Sequence, residues 1–212
     1  MSQPTDRWSM IVPVKRVEIA KSRLALEIEA RSTLALAMAV DTVSAALASD
    51  WVAAVIVVTD DRRARSALAE LAVTVVPDVP DAGLNAALAH GALSAPTARV
   101  AALSSDLPAL RGEDLSVVLE RASRHPASVV ADLQGTGTTL LCAMSAARFV
   151  PRFGVSSLAA HVSAGAHDLT ASAPESLRRD VDTVNDLRAA VALGVGPRTR
   201  AALDSLDVAL ER

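Results

Sequence analysis

Arg99-Val100-Ala101-Ala102-Leu103-Ser104-Ser105-Asp106-Leu107-Pro108-Ala109-Leu110 decides how the chain folds. Its first half is small and apolar, as a strand buried on both faces of a parallel sheet requires, and it ends on a carboxylate followed two positions later by proline. Open α/β sheets gather their ligands outside the carboxyl ends of their strands, so Asp106 falls where a cleft is expected. An aspartate in such a place also caps turns and helices, and the remaining sequence has to weigh one reading against the other.

Outward from this stretch, strand and helix signals alternate. Trp51-Val52-Ala53-Ala54-Val55-Ile56-Val57-Val58-Thr59 is the most apolar strand signal, and it too closes on carboxylates, Asp60-Asp61. Before it, Trp8-Ser9-Met10-Ile11-Val12-Pro13-Val14 reads as the first strand. A charged connection carrying Lys15, Lys21 and Arg23 follows, then a helix over 30–48 with Leu34, Met38, Val43 and Leu47 at helical spacing. The pattern continues with a helix at 62–71, a strand at 73–76 stopped by Pro77, a loop at 78–83 and a helix at 84–93 opening after Gly83. Beyond the central strand come a helix at 113–125 and strands at 127–131 and 138–143. The intervening Asp132-Leu133-Gln134-Gly135-Thr136-Gly137 is too short for a helix and predicts an antiparallel hairpin. The last third reads as a loop at 149–154, a short helix at 156–164, an edge strand at 168–171 and a polar turn at 178–183. A helix at 184–193 follows, capped by Asp182 or Thr183, and then a final helix at 199–210. Gly194-Val195-Gly196 between them reads as a C-cap and turn.

The 212 residues, 51% hydrophobic with a mean hydropathy of +0.33, supply one sizeable core, and no repeat or linker marks a second domain. Aromatic residues make up 2%, so that core is built from Ala, Val and Leu, which suits helices packed on a parallel sheet. A net charge of −3 gives no field for a nucleic-acid backbone, and no apolar run reaches the roughly 20 residues of a membrane span. The lone Cys142 excludes an internal disulfide and reads as a core thiol, and the N-terminal residues lack the features of a signal peptide. A cytoplasmic protein is expected, of unstated oligomeric state.

Asp106, with Asp180 and Asp182 on a late turn, makes a set of hard oxygen donors of the kind Mg²⁺ takes, one or two carboxylates completed by substrate phosphates. In the competing reading Asp180 pairs with Arg178 or Arg179 and Asp182 caps a helix. Lys15 and Lys21 would face a polyphosphate from the loop after the first strand, although a merely solvated loop has the same composition. Gly135-Thr136-Gly137-Thr138 fits neither a Walker A loop nor a dinucleotide fingerprint, but the backbone N–H groups of such a turn can hold an anion, as can those at the helix start spanning Gly154 and Ser157. The histidines, His90, His125, His161 and His167, have no zinc-like spacing and read as surface or cap positions. No Ser/His/Asp or Cys/His constellation stands out.

Taken together in order, Ile11-Val12-Pro13-Val14-Lys15, Ala20-Lys21-Ser22-Arg23-Leu24, Ser105-Asp106-Leu107-Pro108, Gly135-Thr136-Gly137-Thr138, Arg152-Phe153-Gly154, Arg179-Asp180-Val181-Asp182-Thr183 and Gly194-Val195-Gly196-Pro197-Arg198-Thr199 resemble the guanylyltransferases of deazaflavin coenzyme F-420 biosynthesis. The likeness runs through nearly the whole chain, and the last two blocks are most similar to the branch acting on phosphoenolpyruvate. The resemblance implies a Rossmann-like, three-layer α/β nucleotidyltransferase fold over residues 1–212, with a mostly parallel mixed sheet and a small hairpin insertion. It implies that GTP is joined to a phosphorylated three-carbon acid with loss of pyrophosphate. Asp106, Asp180 and Asp182 match the family's metal-binding positions, with Mg²⁺ as the ion. Thr138, Gly154 and Ser157 match those that bind phosphoenolpyruvate. Lys15, Lys21 and Arg23 match the basic loop at the GTP phosphates, and Gly83 and Asn85 a segment facing the nucleoside. Phosphoenolpyruvate, 2-phospho-L-lactate and 3-phosphoglycerate remain open as acceptors, as does a module that binds nucleotide without catalysis. Both reactants are anions, so the chemistry asks for charge neutralisation and in-line alignment, with no protein nucleophile, and the want of a catalytic histidine or cysteine signature is expected.

Overall fold

The computed structural model describes residues 7–14, 27–79 and 81–206. Seven strands, β1 (Trp8–Pro13), β2 (Val52–Val58), β3 (Thr74–Val76), β4 (Arg99–Leu103), β5 (Ala127–Val130), β6 (Leu140–Ala143) and β7 (His167–Asp168), form one sheet in the order β3-β2-β1-β4-β6-β5-β7. β1 pairs in parallel with β2 and β4, and β2 with β3. β6 runs antiparallel to both β4 and β5, and β5 is parallel to β7. The expected hairpin is thus part of the main sheet, with β6 the strand that reverses direction.

Helices cover both faces. α1 (Ile28–Leu47), α2 (Arg62–Leu68), α4 (Gly112–Ala122) and the short α6 (Glu175–Arg178) pack on one side, and α3 (Leu84–Ala92) on the other, with α5 (Ser157–Ser163) against β5. β4 shows why its sequence is apolar throughout. Ala101 and Leu103 enter the core under α1 and α4, Val100 and Ala102 enter the one under α3, and all four are wholly buried. A third apolar cluster joins α7 (Val184–Leu193) and α8 (Pro197–Ser205) to the first turns of α1 through Leu34, Met38, Val181, Leu187 and Leu203. Among the described residues no helix is long and apolar enough to cross a membrane.

The elements depart from the sequence reading in a few places. The edge strand is confined to His167–Asp168, because the Asp168 carboxylate accepts the Thr170 N–H at 2.8 Å and turns the backbone into a 3-10 turn at Thr170–Ser172. α8 begins at Pro197, a residue pre-set for the first helical position. The helix α6 carries no periodic signal strong enough to predict. Gly194 ends α7 as expected, whereas Gly196 caps the start of α8. There an added Cβ would lie 2.3 to 2.7 Å from the carboxylate atoms of Asp41. Only glycine fits, since the buried Asp41 accepts the N–H groups of Arg198 and Thr199 at 3.1 and 2.7 Å and thereby caps α8 from the middle of α1.

Candidate active site

β4 delivers its chain to the carboxyl edge of the sheet, and the loop beyond it is held from several sides. Thr42 of α1, wholly buried, shares its one hydroxyl hydrogen between the carbonyls of Met38 at 2.9 Å and Ser105 at 3.3 Å and accepts the Leu107 N–H at 3.1 Å, so one hydroxyl touches the backbone on either side of Asp106. The Asp106 carbonyl accepts the N–H of Val181 at 3.1 Å, and that of Pro108 accepts the Gly196 N–H at 2.9 Å. The turn carrying Asp180 and Asp182 is therefore seated on the residue expected to share their ligand. α4 is capped at Arg111, so Asp106 does not serve as its cap. Asp182 is no cap either: Thr183 accepts the Asp186 N–H while Asp186 answers to the Thr183 N–H, a reciprocal capping box. Arg179 pairs with Glu175, and Arg178 donates to the carbonyls of Ala131 and Asp132.

Beside this edge β6 begins. Ser104 donates through its N–H to the Thr139 carbonyl at 2.9 Å and through its hydroxyl to the Thr138 backbone carbonyl. The turn before Thr138 is shaped by Asp132, whose buried carboxylate accepts the N–H groups of Thr136 and Gly137 at 2.9 and 2.8 Å. A Cβ on Gly137 would stand 2.2 Å from that carboxylate, which makes the glycine obligatory. Thr138 and Ser157 meet with their hydroxyl oxygens 3.1 Å apart, and the Gly154 carbonyl accepts the Ser157 N–H. Thr138, Gly154 and Ser157, distant in sequence, are thus brought to one place.

His161 joins them. Expected at the surface or at a cap, it is buried to 1% exposure, with Nδ1 3.1 Å from Thr138 Oγ1 and Nε2 accepting the Arg152 N–H at 2.9 Å. Burial and the charge of Arg152 push its pKa down to about 4. The ring is neutral at ordinary pH. Its proximity to Thr138 was hidden in the sequence because the turn at 154–156 separates them. The one clue was its place four residues after Ser157, on the same face of a short helix.

The basic loop residues Lys15, Lys21 and Arg23 lie outside the described residues. β1, which leads to them, ends at the same sheet edge, with the Val14 N–H on the Val58 carbonyl. Gly83 is where α3 starts. Asn85, expected at the nucleoside, has its amide taken up by protein: Nδ2 donates to the Phe153 carbonyl at 3.0 Å and Oδ1 accepts the Phe153 N–H at 2.7 Å. It fixes the loop that carries Gly154. Along the remaining strand ends, Asp61 caps α2. Asp78 has its pKa raised by burial and by Asp60 and Asp81.

Among the described residues no group of three or more His, Cys, Asp or Glu side chains is gathered closely enough to hold a metal ion by itself. Mg²⁺ does not need one, since it retains waters and takes one or two carboxylates plus substrate phosphates. Asp106, Asp180 and Asp182, on segments joined by the Val181–Asp106 backbone bond, fit that demand in donor chemistry.

The family model described as "Guanylyl transferase CofC like" matches residues 8–212. The chain is 52% identical over 202 residues to a phosphoenolpyruvate guanylyltransferase of Thermomonospora curvata, covering 92% of this chain and 87% of that one. It is 50% identical over 209 residues to one from Streptomyces coelicolor, covering 96% and 99%. Among solved structures, a nucleotidyl transferase of Methanothermobacter superposes with a TM-score of 0.65 at 23% identity, over 88% of this chain and 97% of that one. A protein of Desulfovibrio desulfuricans assigned as a nucleotide-diphospho-sugar transferase does so at 0.70 and 18% identity, over 96% of each. At such identities these two speak for the fold, which is that of nucleotidyltransferases.

Proposed function

Because the chain belongs to the CofC-like guanylyl transferase family, we propose that it transfers the guanylyl group of GTP to phosphoenolpyruvate and releases pyrophosphate. The observation that carries this reading is the near end-to-end identity, about one residue in two, with proteins named for that activity. The geometry agrees with it. A cluster of hydroxyl and backbone groups at Thr138, Gly154 and Ser157 suits a small acid, and it stands next to a carboxylate-bearing edge at Asp106.

In the reaction, an oxygen of the acceptor phosphate attacks the α-phosphorus of GTP in line with the departing pyrophosphate. Thr138 and Ser157 orient the acid, and Gly154, with its loop pinned by Asn85, shapes the space around it. Asp106, Asp180 and Asp182 would hold Mg²⁺, which when bound supplies charge neutralisation between the two reactants. Lys15, Lys21 and Arg23 offset charge on the triphosphate, and Gly83 opens the helix facing the nucleoside. A phosphate monoester is already ionised at neutral pH, so no side chain has to act as general base. The resemblance of the motifs to guanylyltransferases of deazaflavin coenzyme F-420 biosynthesis supports a use of the product in that synthesis, in the cytoplasm.

The test is pyrophosphate release by the purified full chain with GTP and Mg²⁺, offering phosphoenolpyruvate, 2-phospho-L-lactate and 3-phosphoglycerate in parallel, with a chelator control. Phosphoenolpyruvate is expected to give the highest kcat/KM, and chelation to abolish turnover. Preference for another acid would reassign the acceptor. GTP binding without pyrophosphate release on any of the three would make the protein a nucleotide-binding module.

A further inference from the structure

The Arg152 backbone sets the directions of the hydrogen bonds around His161. A backbone N–H can only donate, so the Arg152 N–H at 2.9 Å fixes Nε2 as an acceptor without a proton. A neutral imidazole then carries its proton on Nδ1, which points at Thr138 Oγ1, 3.1 Å away. The same oxygen receives the Ser157 hydroxyl at 3.1 Å. With both acceptor positions of Thr138 Oγ1 filled from inside the protein, its own hydroxyl hydrogen is what that oxygen has left to offer a further partner.

We propose that His161 is a positioning residue for the acceptor acid: its Nδ1–H, set by the Arg152 backbone, and the Ser157 hydroxyl saturate Thr138 Oγ1 as an acceptor, so that Thr138 is presented to the substrate anion only as a donor. The gain is orientational. A free hydroxyl rotates and is as ready to turn a lone pair toward a carboxylate or phosphate oxygen as a hydrogen, whereas this one is already aimed. Burial of the ring and its two-sided bonding keep the arrangement neutral and rigid. The proposal rests on the reading of Thr138 as a contact of the acceptor acid.

Two substitutions separate positioning from mere support of the fold. In His161→Gln the longer amide reaches the place of Nε2 and keeps a partner for the Arg152 N–H, while the donor to Thr138 is lost. In His161→Asn the amide nitrogen stands near the place of Nδ1 and can still donate to Thr138. Thr138→Val is expected to raise KM for phosphoenolpyruvate about tenfold, the loss of one hydrogen bond to an anion, with KM for GTP unchanged. H161Q should raise the same KM by a similar factor, H161N by much less, and H161Q added to T138V should raise it no further. A raised KM in T138V that H161Q does not reproduce, or effects that multiply in the double variant, would overturn the proposal and leave the acceptor site standing. An unchanged KM in T138V would overturn both. Ring nitrogen shifts measured by NMR on the unmodified protein give a readout free of turnover and of variant folding: the Nδ1–H tautomer is expected, and the Nε2–H tautomer would overturn the proposal.

Discussion

At Thr42 a single buried hydroxyl determines where Asp106 stands, because it bonds the backbone on both flanks of that residue. Thr42→Val keeps the shape but strips a partner from the Leu107 N–H, and an unsatisfied buried group of this kind costs about 1–3 kcal/mol. A lowered melting temperature is expected together with a fall in kcat, measured by calorimetry and by pyrophosphate release. Full activity in a destabilised T42V protein would show that the position of Asp106 does not depend on this contact. Asp106→Asn, by contrast, is nearly isosteric and should leave the melting temperature close to that of the parent while removing almost all pyrophosphate release. The turn at 135–138 and the helix start at 154–157 were legible as places where backbone N–H groups converge, the resemblance matched Thr138, Gly154 and Ser157 to the acceptor acid, and the structure brings the three together. His161 was not legible, since an isolated histidine carries no pattern, and its role depends on which strand its helix lies against.

α8 illustrates how an element can be held by a residue remote in the chain. Its cap is Asp41, 157 and 158 residues before the N–H groups it accepts, and Gly196 is the position that lets the two approach. Gly196→Ala forces a Cβ into the Asp41 carboxylate, and overpacking of this sort typically costs about 1–3 kcal/mol. In a chain of this length that is a drop of roughly 2–4 °C in melting temperature for each kcal/mol. Hydrogen exchange read on the Arg198 and Thr199 amides should speed up in the variant, and unchanged protection there would argue against the cap. Sequence alone gave the strands of the parallel half correctly, as β2 and β4 are continuous apolar runs that must be covered on both faces. It fared worse past residue 165, where β7 and α6 are too short for periodicity and are shaped instead by one aspartate turn and by packing on α4.

For the molecule as a whole, titration couples the neighbourhood of the acceptor acid to stability. His161 has a folded pKa of about 4, below the ordinary histidine value near 6.5, so the unfolded chain binds more protons between those values. The resulting stability is complete above pH 6.5 and is lost as pH falls toward 4. His125, lowered by burial and by His167 stacked at 3.8 Å, acts in the same direction, whereas Asp78, with its pKa raised by burial, acts in the opposite one. Melting temperatures across pH 4–7 should therefore decline on the acid side in the parent and decline less in H161N. Identical slopes in the two proteins would show that the imidazole is not held neutral. Donor chemistry and family likeness grouped Asp106 with the turn at 180–182 in the sequence, but no local rule shows that residues more than seventy positions apart lie together. What joins them physically is the third apolar cluster, which docks α7 and α8 on α1.

The reversed direction of β6 carries a consequence for how such an enzyme diversifies. Because that strand runs against its neighbours, its first residues arrive at the edge where the others finish, and the segment linking it to β5 becomes a wall of the proposed acid pocket. Insertions or deletions in this one hairpin tip would remould that pocket for a larger or smaller acid without changing the residues at 106, 180 and 182. If the proposed acceptor site is right, acceptor choice would be modular, and a graft of residues 132–139 between relatives would change the preferred acid in the pyrophosphate-release assay.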